Sequence, residues 1–284
     1  MSTILYETTG RIARITLNRP EVLNAINDDL PGELAAAVAE ADADPEVHVM
    51  ILSGAGEAFC AGYDLAHYAA DPTNAMTQSM PWDPMQDYQF MWANTQHFMS
   101  LFRAHKPVVC KVHGHAVAGG SDIALCCDLV IMADDARIGY MPTRVWGCPT
   151  TAMWTYRLGL EKAKRMLLTG DKITGVEAAE MGLVLKSVPA ADLDAEVEAL
   201  AGRMASVPIN QLAMQKMVIN QTIEATINQT QRLATVFDGI TRHSPEGLNF
   251  KARAESEGWK RAVEERDAGS FDWTRNRPIP GNRD

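Results

Sequence analysis

No apolar run in the 284-residue sequence is long enough to span a membrane. Residues 1–7, MSTILYE, lack a basic stretch followed by an apolar core, so no secretory leader is expected and the protein is expected in the cytoplasm. Cysteine is scarce, and its count of five is odd. Cys110, Cys126 and Cys127 lie in apolar runs, and the adjacent pair Cys126-Cys127 has no zinc-ligand spacing. Buried, reduced thiols are therefore expected, with no metal site. Basic residues are outnumbered, 26 Lys and Arg against 36 Asp and Glu, and the net charge of −10 argues against general nucleic-acid binding. An anionic ligand stays possible, because a local cluster of N–H groups can hold one inside an acidic protein. There are no internal repeats. The hydrophobic share of 46% and the charged share of 22% are those of an ordinary globular chain, of one large domain or two.

What the sequence does have is residues 111–128, KVHGHAVAGGSDIALCCD. An apolar strand-like run ends in it, a small-residue turn crosses residues 113–120, and an apolar segment at 123–127 reads as a buried helix. A strand delivered through glycines onto a helix N-terminus points free N–H groups and the positive end of a helix dipole at one spot, which suits a negative oxygen. The turn alone also fits a tight connection with no chemistry.

Around that stretch, residues 11–18 alternate as a half-buried strand and residues 30–43 have helical spacing with Pro31 in the first turn. Residues 47–53 read as a second strand, ending at Gly54-Ala55-Gly56. A dinucleotide loop is rejected there, since the third glycine is missing and no helix opens. Residues 71–96 are rich in Met, Trp, Pro and Gln, a composition that suits either an adaptable wall around an apolar ligand or a core or subunit contact. Helices are expected over 151–158, 161–168, 191–205 and 209–241, with a last one running from 245 to about 266. Residues 269–284 read as an irregular tail. Alternating strands and helices followed by helices alone predict an α/β core with a helical C-terminal appendage.

Five segments then carry a family resemblance: NRPEVLNA at 18–25, AFCAGYDL at 58–65, residues 113–128, LLTGDKI at 167–173 and AAEMGLV at 178–184. In that order the chain resembles the crotonase family, also called the enoyl-CoA hydratase/isomerase family, from about residue 5 to 265. The resemblance implies a spiral of ββα repeats over residues 1–205 that carries the acyl-CoA site. It implies a helical region over 206–268 that helps to form homotrimers or homohexamers. The implied ligand is an acyl-CoA thioester, with coenzyme A as part of the substrate and no tightly bound cofactor or metal. The implied oxyanion hole uses the backbone N–H groups of Tyr63 and Gly119, which suits chemistry that passes through a thioester enolate. Coenzyme contacts map to Leu23, Ala25, Ala61, Tyr63, Leu65 and Gly119.

The chain also departs from the family pattern. The first acid position holds Asp122 in place of glutamate, one methylene shorter. The second aligns to Thr143, which cannot act as a carboxylate base, and a further acid position used by dienoyl-CoA isomerases aligns near Thr150. Asp122 is thus the leading proton carrier, although an N-terminal helix acid also suits the dipole. His115, His67 and Tyr140 are the other candidates for proton transfer, each with a packing or pocket-rim alternative. Asp64 is read as a brace of its loop and Asp128 as a support of a strand end. Three function classes remain: a hydratase or isomerase with altered acid/base residues; other thioester-enolate chemistry such as hydrolysis, decarboxylation or retro-aldol cleavage; and a non-catalytic acyl-CoA-binding protein or a purely structural subunit.

Overall fold

The computed structural model of the chain describes residues 2–70 and 81–280. Strands β1 (Ile4–Thr9) and β2 (Ile12–Leu17) form an antiparallel hairpin. From β2 the pairing becomes parallel, through β3 (Val49–Gly54), β4 (Val108–Val112), β6 (Leu129–Ala133) and β9 (Lys186–Val188), giving the sheet order β1-β2-β3-β4-β6-β9. The middle strands are apolar almost throughout because helices cover the sheet. A second sheet joins β5 (His115–Val117), β7 (Arg137–Gly139) and β8 (Lys172–Thr174). Two of its short strands follow a long one within a few residues, β5 after β4 and β7 after β6. The chain thereby steps from one sheet to the other before its next helix, in repeated ββα turns.

Helix α1 (Leu30–Ala43) has the bounds its apolar spacing predicts. After α2 (Leu65–Tyr68), helix α3 (Pro84–Arg103) starts at Asp83, whose carboxylate accepts the N–H groups of Met85 and Gln86. The first part of the Met- and Trp-rich segment, residues 71–80, lies outside the described residues. The eight residues of α4 (Gly119–Cys126) are all buried. The two helices expected at 151–168 are one helix, α5 (Met153–Thr169), with a kink at Gly159 (φ 71°). Then come α6 (Gly175–Met181), capped by a Thr174/Glu177 box, and α7 (Leu193–Ala205) over the sheet.

The C-terminal region begins with α8 (Ile209–His243), of 35 residues. The single last helix expected beyond it is two, α9 (Pro245–Glu257) and α10 (Trp259–Ala268), divided at Gly258 (φ 90°). The tail is not irregular throughout, because β10 (Phe271–Asp272) and β11 (Arg277–Pro278) form a short hairpin. The hairpin is held by a satellite core in which Phe271 and Trp273 pack on Phe250 and Trp146. Aromatic burial, invisible to a local reading of polar residues, orders that tail. Among the described residues no helix is long and apolar enough to cross a membrane.

Candidate active site

Three chain segments meet at one end of the sheet. In the first, Leu23 and Asn24 adopt left-handed backbone (φ 53° and 55°) after a single 3₁₀ turn at Pro20–Val22. That conformation is costly without a compensating contact. The Asn24 side chain, fully buried, supplies it by donating to the carbonyls of Ala55 and Ala58 at 2.8 Å each and accepting from the Arg19 N–H. Arg19 in turn donates to the Ala25 carbonyl and pairs with Asp64 at 3.1 Å. Asp64 is therefore a brace, as its sequence position suggests.

In the second segment, Tyr63 lies opposite Ile26 in an isolated parallel bridge. Ile26 donates to the Gly62 carbonyl at 2.8 Å and accepts from the Asp64 N–H at 3.0 Å. In extended backbone the peptide groups alternate sides, so the Tyr63 N–H points away from Ile26. In the third, Ala118 holds a strained backbone (φ 52°, ψ −127°), pinned by its N–H to the Gly139 carbonyl at 2.9 Å. Gly119 follows as the first residue of α4, where a helix leaves its N–H free. The second and third segments touch: a Cβ on Gly62 (φ 91°) would stand 2.8 Å from Ala118 Cβ and 3.4 Å from Gly119 N. Only glycine gives both that backbone and that approach.

One turn into α4, Asp122 is 4% exposed. Thr151 Oγ1 donates to its Oδ1 at 2.6 Å. Burial, opposed by that hydroxyl and reinforced by the charge of Asp238, pushes the Asp122 carboxyl up to about 8. At neutral pH it is mainly a neutral acid.

These groups open onto one cavity of about 540 Å³. Leu23, Ala25, Ala61 and Leu65 line one part, and Tyr63, Gly119, Asp122, Tyr140 and Thr150 another. Phe90, Met91 and Phe98 supply apolar wall from α3. Trp82 and Trp92 do not line it: Trp82 stacks on His243 and Trp92 on Tyr88. Nor do the two candidate histidines. His67 lies 2.8 Å from Asp28, and His115 projects from β5 beside Arg137 and Lys172, whose charges add to burial in lowering its pKa. The Thr143 hydroxyl donates to the Leu167 carbonyl and is also absent from the cavity wall. Asp128 accepts from the Val108 N–H and pairs with Lys216, each at 2.7 Å, supporting a strand end.

Sequence reasoning missed the wall contributed by α8. Its buried residues include Gln231, Thr235, Asp238 and Arg242, spaced along one face. Asp238 and Arg242 line the cavity, and Arg242 pairs with both Asp238 and Asp87. The signal was polar residues at helical spacing, which ordinarily marks a solvent face.

A profile described as enoyl-CoA hydratase/isomerase matches residues 7–268. A crystal structure of an enoyl-CoA hydratase from Mycobacterium smegmatis is 49% identical, with a TM-score of 0.88 and coverage of 97% of this chain and 96% of that one. One of an enoyl-CoA hydratase/isomerase from Xanthobacter autotrophicus Py2 is 31% identical, with a TM-score of 0.85 and coverage of 94% and 98%. The crotonyl-CoA hydratase of Syntrophomonas wolfei is 31% identical over 271 residues, 93% of this chain and 96% of that protein.

Proposed function

This chain belongs to the enoyl-CoA hydratase/isomerase family, and from that premise we propose that it binds an acyl-CoA thioester and moves a proton at the acyl α-carbon. The observation that carries this reading is one cavity shared by a buried carboxyl, Asp122, and by Tyr63 and Gly119. In this reading the thioester carbonyl oxygen sits between the Tyr63 and Gly119 N–H groups. Charge that develops there as an enolate forms is stabilised by each donor by about 3 kcal/mol. Asp122 takes the α-proton as a carboxylate or returns it as an acid. A value near 8 keeps both forms accessible around neutral pH. Thr151 orients the carboxyl through its hydroxyl.

The coenzyme moiety runs past Leu23, Ala25, Ala61 and Leu65, held by backbone and apolar contact. The acyl group enters between Phe90, Met91 and Phe98. Tyr140, on the same wall and with burial holding its hydroxyl protonated, can donate a hydrogen bond to the acyl group. His67 and His115 take no part in the proton step in this reading. Thr143 offers no carboxylate, so water activation from that position is absent, and any hydration of an enoyl chain needs a second acid/base group from elsewhere in the cavity. The subunits assemble through the outward apolar face of α8, as a trimer or hexamer.

The test is deuterium exchange from solvent into the α-carbon of a saturated acyl-CoA. Exchange is expected in the wild type and is expected to fall by about 100-fold or more in Asp122→Asn. Exchange that is absent, or indifferent to Asp122→Asn, removes this function.

A further inference from the structure

Resting on that reading, we propose that Asp238 is the second carboxylate of the acid/base pair, supplied to the cavity by the long C-terminal helix α8 rather than by the segment that holds Thr143. The first observation is the inverted polarity of α8. Its buried face carries Gln231, Thr235, Asp238 and Arg242, while Leu233, Val236, Phe237 and Ile240 are exposed. Burying polar and charged side chains costs stability unless they are paired, and apolar isosteres would pack as well. The face is also tied to the site: Gln231 Nε2 donates to the Thr151 carbonyl at 2.9 Å, and Thr151 holds Asp122.

The second observation is the way Asp238 is held. The Cys148 N–H donates to Oδ1 at 3.0 Å, and Arg242 donates to Oδ2. Arg242 reaches on to Asp87, which also accepts from Trp82 Nε1 at 3.1 Å. Two carboxyls thus share one guanidinium, and of the two only Asp238 lines the cavity. Two donors fix it, and a carboxylate still has lone pairs for a third.

The third observation is the close approach of Gly147. A Cβ there would lie 3.1 Å from Pro142 Cβ and 3.3 Å from both Asp238 Oδ1 and the Tyr140 hydroxyl, so the carboxylate and the cavity-lining hydroxyl flank one glycine. A side chain would crowd both, and the Gly147 backbone (φ 128°) also favours glycine.

The two carboxyls have different surroundings. Burial raises both; at Asp238 it is opposed by the Arg242 guanidinium and the Cys148 N–H and reinforced by Asp87, whereas Asp122 has one opposing hydroxyl and the added repulsion of Asp238. With the guanidinium and the backbone N–H on Asp238 alone, Asp122 is assigned as the acid and Asp238 as the base of a pair that shares one proton. Addition of water to an enoyl thioester is then balanced. Asp238 takes a proton from water as its oxygen bonds to C3, the C2–C3 π pair moves into the enolate, and Asp122 delivers its proton to C2. The proton on Asp238 returns to Asp122 through solvent. The other groups near Asp238 are Arg242, Asp87, Tyr63, Tyr140, Cys148 and, against Asp87, His243. Burial raises both tyrosines and moves Cys148 to about 11, and burial lowers His243.

The experiment measures hydration of crotonyl-CoA, decenoyl-CoA and cinnamoyl-CoA, with α-carbon exchange alongside, in the wild type, Asp238→Asn, Asp238→Glu and Asp87→Asn. Asp238→Asn is expected to lower hydration of the best substrate by about 100-fold while exchange stays within about threefold, and to remove the acidic limb of the hydration pH profile. Asp238→Glu is expected to recover part of the rate with that limb. Asp87→Asn, which makes the same change on the far side of Arg242, is expected to keep the limb. Unchanged hydration in Asp238→Asn overturns the proposal, as does an equal loss in Asp87→Asn and Asp238→Asn with the limb intact in both. No hydration of any of the three thioesters by the wild type, with exchange present, overturns it too and leaves the α-proton chemistry standing. Absence of both reactions overturns the two readings together.

Discussion

Thr151 Oγ1 stands 2.6 Å from Asp122 Oδ1, although 29 residues separate them in the chain. The hydroxyl is the one side-chain hydrogen-bond partner of that carboxyl among the described residues, and Asp238 opposes it by repulsion. The ionisation of Asp122 is therefore set by a balance of burial, one hydroxyl and one neighbouring charge, and each can be altered separately.

The pH dependence of α-carbon exchange follows from that balance. Removing a proton from a saturated acyl-CoA needs Asp122 as the carboxylate, so exchange should rise with pH and level off above about 8. Thr151→Val removes the donor that favours the charged form and should move the midpoint to higher pH. A midpoint that stays put in Thr151→Val, followed by NMR of the exchanging position, would separate the hydroxyl from the titration.

The same shift predicts a stability change. The folded-state value of about 8 lies above the ordinary 3.8, so the native state binds the proton more tightly than the unfolded chain. The resulting stability is fully present below the unfolded value and is lost as pH rises toward 8. Asp122→Asn cannot ionise. Its melting temperature relative to wild type should therefore be higher at pH 8 than at pH 5, by on the order of 2 °C or more. A scanning-calorimetry difference that is flat with pH would contradict the buried, raised carboxyl.

The latch at Asn24 predicts a combined loss. Asn24→Ala leaves the carbonyls of Ala55 and Ala58 and the Arg19 N–H without their side-chain partner, at a cost of about 2–4 kcal/mol. The left-handed backbone at Leu23 and Asn24 then loses its support, so coenzyme A should bind more weakly, by about tenfold. Urea unfolding and calorimetry with coenzyme A check the two effects independently. Full affinity in a destabilised variant would show that the loop keeps its shape without the latch.

Assembly gives the fourth prediction. Val236 and Ile240, four residues apart on α8, are each 44% exposed, beside exposed Leu233 and Phe237. Such a contiguous apolar face is expected to be covered. Sedimentation should give a trimer or hexamer, and Val236→Glu with Ile240→Glu should shift it toward smaller species. A monomeric wild type would contradict the expectation.

The sequence made the glycine turn legible, because a strand, a turn and a buried helix are local features that point backbone donors at one spot. The parts of Gly119 and Asp122 came from the family resemblance, and the fold puts both on the wall of one cavity. Helix α1 was legible from its local apolar spacing. Thr151 was not, because nothing in the neighbourhood of residue 151 refers to residue 122; only the packing of α5 against α4 does. The Asp87–Arg242–Asp238 cluster was hidden more deeply. Polar residues at positions 231, 235, 238 and 242 have the spacing of a solvent face, and the apolar residues between them have the spacing of a core. Read locally, the helix is inside out. His67 and His115 illustrate the converse, since the residue types suggested chemistry and their positions put both outside the cavity wall.

That reversed helix has a consequence for how the catalyst is measured. The face of α8 proposed to meet a neighbouring subunit and the face that carries Asp238 belong to one helix, so under that proposal a subunit set adrift would lose the support of the wall behind its reaction chamber. Turnover per subunit should then depend on protein concentration, and dilution should act on the reaction like an inhibitor that binds nowhere.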